Sequence, residues 1–195
     1  MPRPRKYDES DVLNKAMSLF WKQGYRNTSI KDLEKMLNLK ASSIYHAYGS
    51  KELLFIKTIE LYLVKVVDKR IEKYLRNDHL PMENIKAFFL SVIEKKDSEN
   101  IKIGCFLTNT ATEIGTSLPE VSKKIQLGME KIKDAFHLEL LEAKKAKMIA
   151  PSCDLKEVAT MLLLNYQGLL VMARLNYSCD VLTQTTLCML NKLEE

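Results

Sequence analysis

The stretch LFWKQGYRNTSIKDLEKMLNLKASSIYHAYGSKELL, residues 19–54, decides the fold. Thr28 or Ser29 is suited to cap a short helix, because a hydroxyl oxygen accepts a hydrogen bond from a first-turn amide. Asn38 ends that helix, since Asn tolerates the left-handed conformation better than most residues. Another short helix is expected over Lys40–Ala47. Two short helices joined by a tight turn indicate a helix-turn-helix.

Helical periodicity continues on both sides of this motif, and no two-residue alternation indicates a strand. We expect a supporting helix over Asp8–Gln23 and a long helix from Ser50 to Leu75, with Ile56 and Leu63 on its apolar stripe. Further helices are predicted over residues 82–95, 105–114, 119–148, 154–177 and 180–193. The prediction is an all-α protein of about nine helices, with a helix-turn-helix DNA-binding domain at 1–51 and a helical effector-binding and dimerisation domain at 52–195.

The positive charge is concentrated in the first quarter of the chain. The net charge of the 195 residues is +5, from 30 Lys and Arg against 25 Asp and Glu. Residues 1–51 contain ten basic and five acidic side chains, whereas the remainder contains twenty of each. A basic segment on a neutral body indicates a polyanionic partner, with nucleic acid favoured over membrane.

Composition and targeting signals exclude several other classes. The 46% hydrophobic content is too high for a disordered chain. No apolar region follows the basic N-terminus as in a signal peptide, and the apolar stretch 159–175 is too short and too polar to be a convincing membrane span. The four cysteines show neither a CxxC pair nor a zinc-site spacing with His. We expect a cytoplasmic protein with no metal, no cofactor and no membrane partner.

Enzyme signatures are missing from the sequence. It contains no HExxH, GxGxxG, Walker or GxSxG motif. His46, His79 and His137 fall in three different predicted elements. A non-enzymatic regulator is therefore favoured, with a helical scaffold or helical enzyme as the remoter alternative.

The residue types of the second motif helix suit a DNA reader. A helix in the major groove needs small or hydrogen-bonding side chains on its outer face. Ile44 is the large aliphatic residue of this helix and is expected to point into the core. The outer positions are Lys40, Ala41, Ser42, Ser43, Tyr45 and His46.

At these residues the sequence resembles the TetR family of bacterial transcriptional regulators. The matching positions are Gly24-Tyr25, Thr28, Asp32-Leu33, Ile44-Tyr45, Tyr48 and Ser50-Lys51-Glu52. The resemblance implies a homodimeric repressor that leaves a palindromic double-stranded DNA operator when a small-molecule effector binds. It also implies that Tyr45 and His46 lie near phosphates or bases and that Lys51 contacts a phosphate. Thr28, at a helix start, would offer its hydroxyl and backbone amides to a phosphate.

The motif departs from the family pattern at two informative positions. The family commonly has Ala where Glu34 stands and Ser or Thr where Lys40 stands. We expect Glu34 to point outward, and Lys40 to leave the recognition helix without its usual cap and to contact DNA instead. At the N-terminus, a minor-groove arm and a segment without DNA contact both remain open for Arg3, Arg5 and Lys6.

The helix predicted from Asp154 to Tyr177 is apolar almost all round, so every face must be covered. Its neighbours in one chain would suffice, but the resemblance implies a four-helix dimer interface with the helix at 180–193. Gly168 would permit close approach of the partner helix or would fill a tight crossing within one chain.

The resemblance also implies an effector cavity, for which we expect an apolar ligand. The proposed lining residues are Tyr62, Phe89, Asn109, Glu113, His137, Tyr166 and Met172. Cys105 follows Gly104 at a predicted helix start, where amides and the helix dipole favour a thiolate. A redox- or electrophile-sensing role for Cys105 is an alternative to a ligand-responsive repressor, and inert packing of that thiol is the simpler interpretation.

Overall fold

The computed structural model describes residues 8–94, 103–150, 154–175 and 177–194. The regular secondary structure of these residues is entirely helical, which confirms the predicted all-α class. The helices are α1 (Glu9–Gln23), α2 (Ile30–Leu37), α3 (Ala41–Tyr48), α4 (Lys51–Tyr62), a π-helical segment (Leu63–Asp68), α5 (Lys69–Leu75), α6 (Pro81–Glu94), α7 (Phe106–Ile114), α8 (Pro119–Lys145), α9 (Leu155–Arg174) and α10 (Cys179–Asn191).

The chain forms two compact units. The first unit comprises residues 1–65 and 106–126, and the second comprises residues 66–105 and 127–195. These ranges differ from the predicted 1–51 and 52–195 because α4 and α7 share a core with the three N-terminal helices. Phe55 of α4 and Phe106 of α7 pack edge to face, with ring centroids 5.7 Å apart.

The local signals of the first unit account for its helix boundaries. Ser29 caps α2: its Oγ accepts a hydrogen bond from the Asp32 amide at 3.2 Å, and its own amide donates to Asp32 Oδ2 at 2.8 Å. This reciprocal capping box satisfies two amides that a helix start otherwise leaves unpaired. Asn38 ends α2 in the left-handed conformation, with φ of 54°. Ser50 caps α4 by accepting from the Leu53 amide at 3.0 Å.

Aromatic side chains form a connected cluster in the core of the first unit. Phe20 lies 4.9 Å from Phe55, and Trp21 lies 5.1 Å from Tyr62, both in edge-to-face geometry. Phe106, the first residue of α7, also contacts Tyr62 at 5.5 Å. Such pairs stabilise a core beyond the area that they bury. The supporting helices are thereby held firmly behind the helix-turn-helix.

In the second unit, α6 packs against α5, α9 and α10. Its core contains Phe88, Phe89 and Phe136 with Tyr166, whose burial raises its pKa to about 12. The guanidinium of Arg70 lies 4.6 Å from the Phe88 ring and donates to Phe88 O at 2.7 Å and Ser91 Oγ at 2.6 Å. No helix in the described part of the chain is long and apolar enough to cross a membrane.

Candidate nucleic-acid interface

Helix α3 presents one polar face to solvent and one apolar face to the core. Ile44 and Tyr48 are buried, as the sequence predicted for Ile44. Tyr45 is 46% exposed, so its ring is accessible rather than packed into the core. Lys40, Ser42 and His46 are also exposed, and Ala41 and Ser43 are half-buried. The proposed DNA-contacting residues between 40 and 46, which do not include Ile44, therefore lie together at the start of α3 and on its solvent-exposed side.

The start of α3 is capped by a residue from α2. Lys40 occupies the N-cap position without a side-chain hydrogen bond, as expected from the missing Ser or Thr. The Ala41 amide instead donates to Glu34 Oε1 at 2.6 Å. The expectation that Glu34 points outward is therefore wrong: its carboxylate satisfies the amide and places a negative charge at the positive end of the α3 dipole. The two departures from the family pattern compensate each other.

Lys51, the proposed phosphate contact, is held against an aromatic ring. Its Nζ lies 4.2 Å from the centroid of the Tyr25 ring. Burial lowers the pKa of Lys51, and the negative charges of Glu113 and Asp32 oppose that shift. The ammonium group therefore sits in a partly desolvated, preorganised position directly after α3.

The hydroxyl of Thr28 does not have the predicted role. It is fully buried, and its hydroxyl donates to Gly24 O at 2.6 Å. The start of α2 also carries its own anion, because Asp32 accepts hydrogen bonds from Ser29 that lower the pKa of the Asp32 carboxyl. The Thr28 hydroxyl is thus unavailable to a phosphate. The proposed arm of Arg3, Arg5 and Lys6 lies outside the described residues.

The proposed effector-lining residues are distributed over both units. Tyr62 is buried in the aromatic core of the first unit, and Asn109 is a half-buried residue of α7. In the second unit, Phe89 and Met172 line a groove of about 390 Å³ along α9 and α10. His137 lines a separate cleft of about 280 Å³. Tyr166 lies in the aromatic core beside Arg70.

Glu113 has a different environment from the one predicted. Its Oε2 accepts a hydrogen bond from the Tyr25 amide at 3.0 Å, and its Oε1 accepts from the Arg26 amide at 2.7 Å. The carboxylate is thus engaged by the turn between α1 and α2 rather than lining a cavity. The sequence gives no signal for a contact across almost ninety positions.

Cys105 immediately precedes α7 and follows Gly104, whose φ is +84°. The position at a helix start is as predicted. However, the residue is only 8% exposed, which limits access of an oxidant or electrophile to its thiol. No cluster of three or more His, Cys, Asp or Glu side chains suited to a metal ion occurs in the described ranges.

The second helix of the motif buries its apolar face in the core and exposes its polar face, and it belongs to a basic N-terminal segment. These features define a helix-turn-helix DNA-binding protein. Comparison with known proteins agrees. Residues 12–58 match the model of the tetR family of bacterial regulatory proteins, and residues 81–186 match the tetracyclin repressor-like C-terminal domain. The chain belongs to the TetR family and is a DNA-binding transcriptional regulator, not an enzyme.

Relatives match over nearly the whole chain. The HTH-type transcriptional repressor ComR of Escherichia coli K12 is 25% identical over 182 residues, covering 93% of this chain and 87% of ComR. The uncharacterized HTH-type transcriptional regulator YezE of Bacillus subtilis 168 is 27% identical over 182 residues, covering 92% and 93% of the two chains. A cysteine mutant of the TetR-family regulator CifR, solved with 26-bp operator DNA, superposes with a TM-score of 0.85 at 23% identity and covers 97% of this chain and 98% of its own.

Proposed function

We propose that the protein is a homodimeric repressor that occupies a palindromic operator and is released by a small apolar effector. The observation that carries the DNA-reading part of this proposal is the exposed face of α3, where Ser42, Tyr45 and His46 stand clear of the core. Lys40 and Lys51 border that face with positive charge. The ComR repressor supports the negative sign of regulation.

Exposed apolar residues on α9 and α10 support the dimer. Leu164 of α9 is 67% exposed, and Val171 of α9 and Val181 of α10 are also exposed. Gly168 lies on the same surface, where an added Cβ would meet no atom within 4 Å. A tight crossing within the chain therefore does not account for this glycine. Burial of this surface against a second copy would remove apolar area from water. A dimer that reads a palindrome needs its two α3 helices roughly 34–36 Å apart, one turn of DNA.

The effector part of the proposal depends on coupling between the two units. Within the second unit, Phe89 and Met172 line the groove of about 390 Å³ along α9 and α10 and offer apolar lining for such a ligand. A coupling free energy of about 1–3 kcal/mol would change DNA affinity by roughly 5- to 150-fold. The ligand would act by favouring a spacing of the recognition helices that does not fit the operator.

Selection of bound duplexes from a random pool by the full-length protein tests the DNA proposal. We expect an inverted repeat whose two half-sites are about one helical turn apart. In titrations against salt, Lys51→Gln should weaken binding to all sequences alike and reduce the salt slope by about 1 for each protomer. Lys123→Gln, at an exposed position of α8, is the matched control and should leave the salt slope unchanged. Sequence-indifferent binding by the wild type would contradict the proposal.

The thiol-sensing alternative receives less support. Burial of Cys105 against the core favours a packing role over rapid oxidation, since reactive cysteines are accessible as well as acidic. The ligand-responsive repressor is therefore the function that we propose.

A further inference from the structure

The turn between α1 and α2 is fastened by a side chain from a helix far along the sequence. Glu113 lies near the end of α7, and its two carboxylate oxygens accept the consecutive amides of Tyr25 and Arg26 at 3.0 and 2.7 Å. Charge-assisted hydrogen bonds of this kind are shorter and stronger than neutral ones. One ionised side chain therefore fixes two successive peptide groups of the helix-turn-helix domain.

The chain leaves room for this carboxylate at Gly24. A Cβ added there would lie 2.7 Å from Glu113 Oε2 and 2.9 Å from its Cδ, too close for any real contact. Gly24 also has a φ of +83°, which side chains rarely adopt. Gly24 thus leaves space for the Glu113 carboxylate and also adopts the positive φ that the turn after α1 requires.

Two contacts connect the fastened turn to the DNA-facing surface. Tyr25 packs with its ring 4.8 Å from Phe55 of α4, and the ammonium of Lys51 lies 4.2 Å from the centroid of that same Tyr25 ring. The negative charge of Glu113 also raises the pKa of Lys51, against the lowering by burial. The path from Glu113 through Tyr25 to Lys51 is short and lies entirely within the first unit.

The other end of α7 is fixed by apolar packing. Phe106 contacts Phe55 and Tyr62 with centroids 5.7 and 5.5 Å apart. A helix attached at one end by aromatic rings and at the other by a carboxylate cannot move without disturbing the turn. A displacement of α7 would therefore also change the position of Lys51.

We propose that Glu113 is a positioning residue for DNA binding: its carboxylate holds the Tyr25–Arg26 turn and thereby places Tyr25 and Lys51 for the operator. This inference rests on the DNA-binding function. This role requires no contact between Glu113 and DNA.

Operator titrations of three variants test the proposal, using the duplex recovered by selection. Glu113→Ala should lower affinity about tenfold or more. Glu113→Gln should fall between it and the wild type, because its single carbonyl oxygen retains one acceptor. Gly24→Ala should reproduce the Glu113→Ala loss, because its methyl group displaces the carboxylate. Glu120→Gln, an exposed acid in the same unit that pairs with Lys123 at 2.7 Å, is the control and should bind like the wild type.

Amide hydrogen exchange separates positioning from general stability. In Glu113→Gln, which is nearly isosteric, exchange at Tyr25 and Arg26 should accelerate while amides in the middle of α1 keep their wild-type protection. Folded variants with wild-type affinity, salt slope and exchange would overturn the inference. Failure of the wild type itself to select a duplex would instead contradict the DNA-binding function, so the two failures are distinguishable.

Discussion

The side-chain hydrogen bond at the start of the recognition helix is contributed by Glu34 of the neighbouring helix α2, which leads to a residue-scale prediction. Glu34→Ala removes the acceptor of the Ala41 amide, which should cost about 0.5–2 kcal/mol, the usual loss for a missing cap. Lys40→Thr should add a bond of its own, because a hydroxyl at the N-cap accepts from the second or third amide of the helix rather than from the Ala41 amide. In the Glu34→Ala background it should therefore offset part of the lost stability. Thermal unfolding of the wild type, the two single variants and the double variant measures these effects, and a Glu34→Ala variant as stable as the wild type would contradict the capping role.

The burial of Cys105 predicts slow chemistry at its thiol. At 8% exposure, modification by a maleimide should be at least about tenfold slower in the native protein than in urea, because the thiol must wait for local opening. Site-resolved mass spectrometry over a time course gives both rates from the same protein. Native labelling as fast as in urea, accompanied by loss of DNA binding, would revive the redox-sensing alternative.

Residue patterns predicted some of the site and missed the rest for definable reasons. Ile44 was predictable as a core residue because it is the large aliphatic of a polar helix. Thr28 and Ser29 were equivalent as caps by residue type, but only Ser29 has an acid three positions on, Asp32, to complete a capping box. Glu34 and Glu113 were misassigned because their partners are backbone amides, which carry no sequence signal.

At the scale of elements, the helix after the motif is not the uninterrupted α-helix that the sequence predicted. Buried apolar residues recur at every fourth position, from Phe55 through Ile59, Leu63 and Val67 to Ile71. In an α-helix this spacing drifts around the axis by roughly 40° per step. The wider π-helical turns at Leu63–Asp68 offset the drift. Ile56, expected on the stripe, is only half-buried.

A π-helical segment behaves as one extra residue within an α-helix, which predicts how deletions are tolerated. Deletion of Val64, which is 58% exposed, should let the segment become α-helical while the flanking stripes keep their faces. The melting temperature should then fall by no more than a few degrees, about 1 kcal/mol for a chain of this size. Deletion of exposed Lys57, within regular α4, should rotate every later residue by roughly 100° and prevent folding.

Circular dichroism melts of the two deletion proteins give the comparison. Val64→Ala is the control for loss of the side chain alone and should melt like the wild type. Equal damage from both deletions would show that the π-helical segment is not a removable insertion.

Element boundaries were predictable wherever a cap marked them. Asp8, Ser50 and Asp154 cap α1, α4 and α9 and are the residues from which the sequence predicted these helices to begin. The C-terminal ends were less predictable: α8 stops at Lys145 rather than Met148, where Lys147 adopts a φ of 58°. A glycine at that left-handed position would have predicted the end of the helix, but the residue is a lysine. The periodic pattern alone therefore extended the predicted helix too far.

At the scale of the whole molecule, the +5 charge and the exposed apolar residues of α9 and α10 point to two different partners, DNA and a second copy of the chain. The excess charge belongs to the segment containing α1–α3, whereas α9 and α10 expose a set of aliphatic residues, Leu164, Val171 and Val181. The sequence predicted that α9 is apolar all round, but whether its outer face meets the same chain or a second copy could not be decided from periodicity. Exposure of Leu164 in the isolated chain favours the second copy.

The proposed dimer predicts a selective effect of charge on that surface. Leu164→Glu should convert the protein to a monomer in sedimentation equilibrium at micromolar concentration, because dimerisation would bury the carboxylate without a partner at several kcal/mol. Leu138→Glu is the matched control: Leu138 is 52% exposed on α8, a helix that contributes no residue to the groove along α9 and α10, and its variant should remain dimeric. The Leu164→Glu monomer should also bind one half-site as weakly as the full operator, since it loses the gain from simultaneous engagement of two sites. A wild-type protein that sediments as a monomer, or a Leu164→Glu variant that remains a dimer, would contradict the proposed interface.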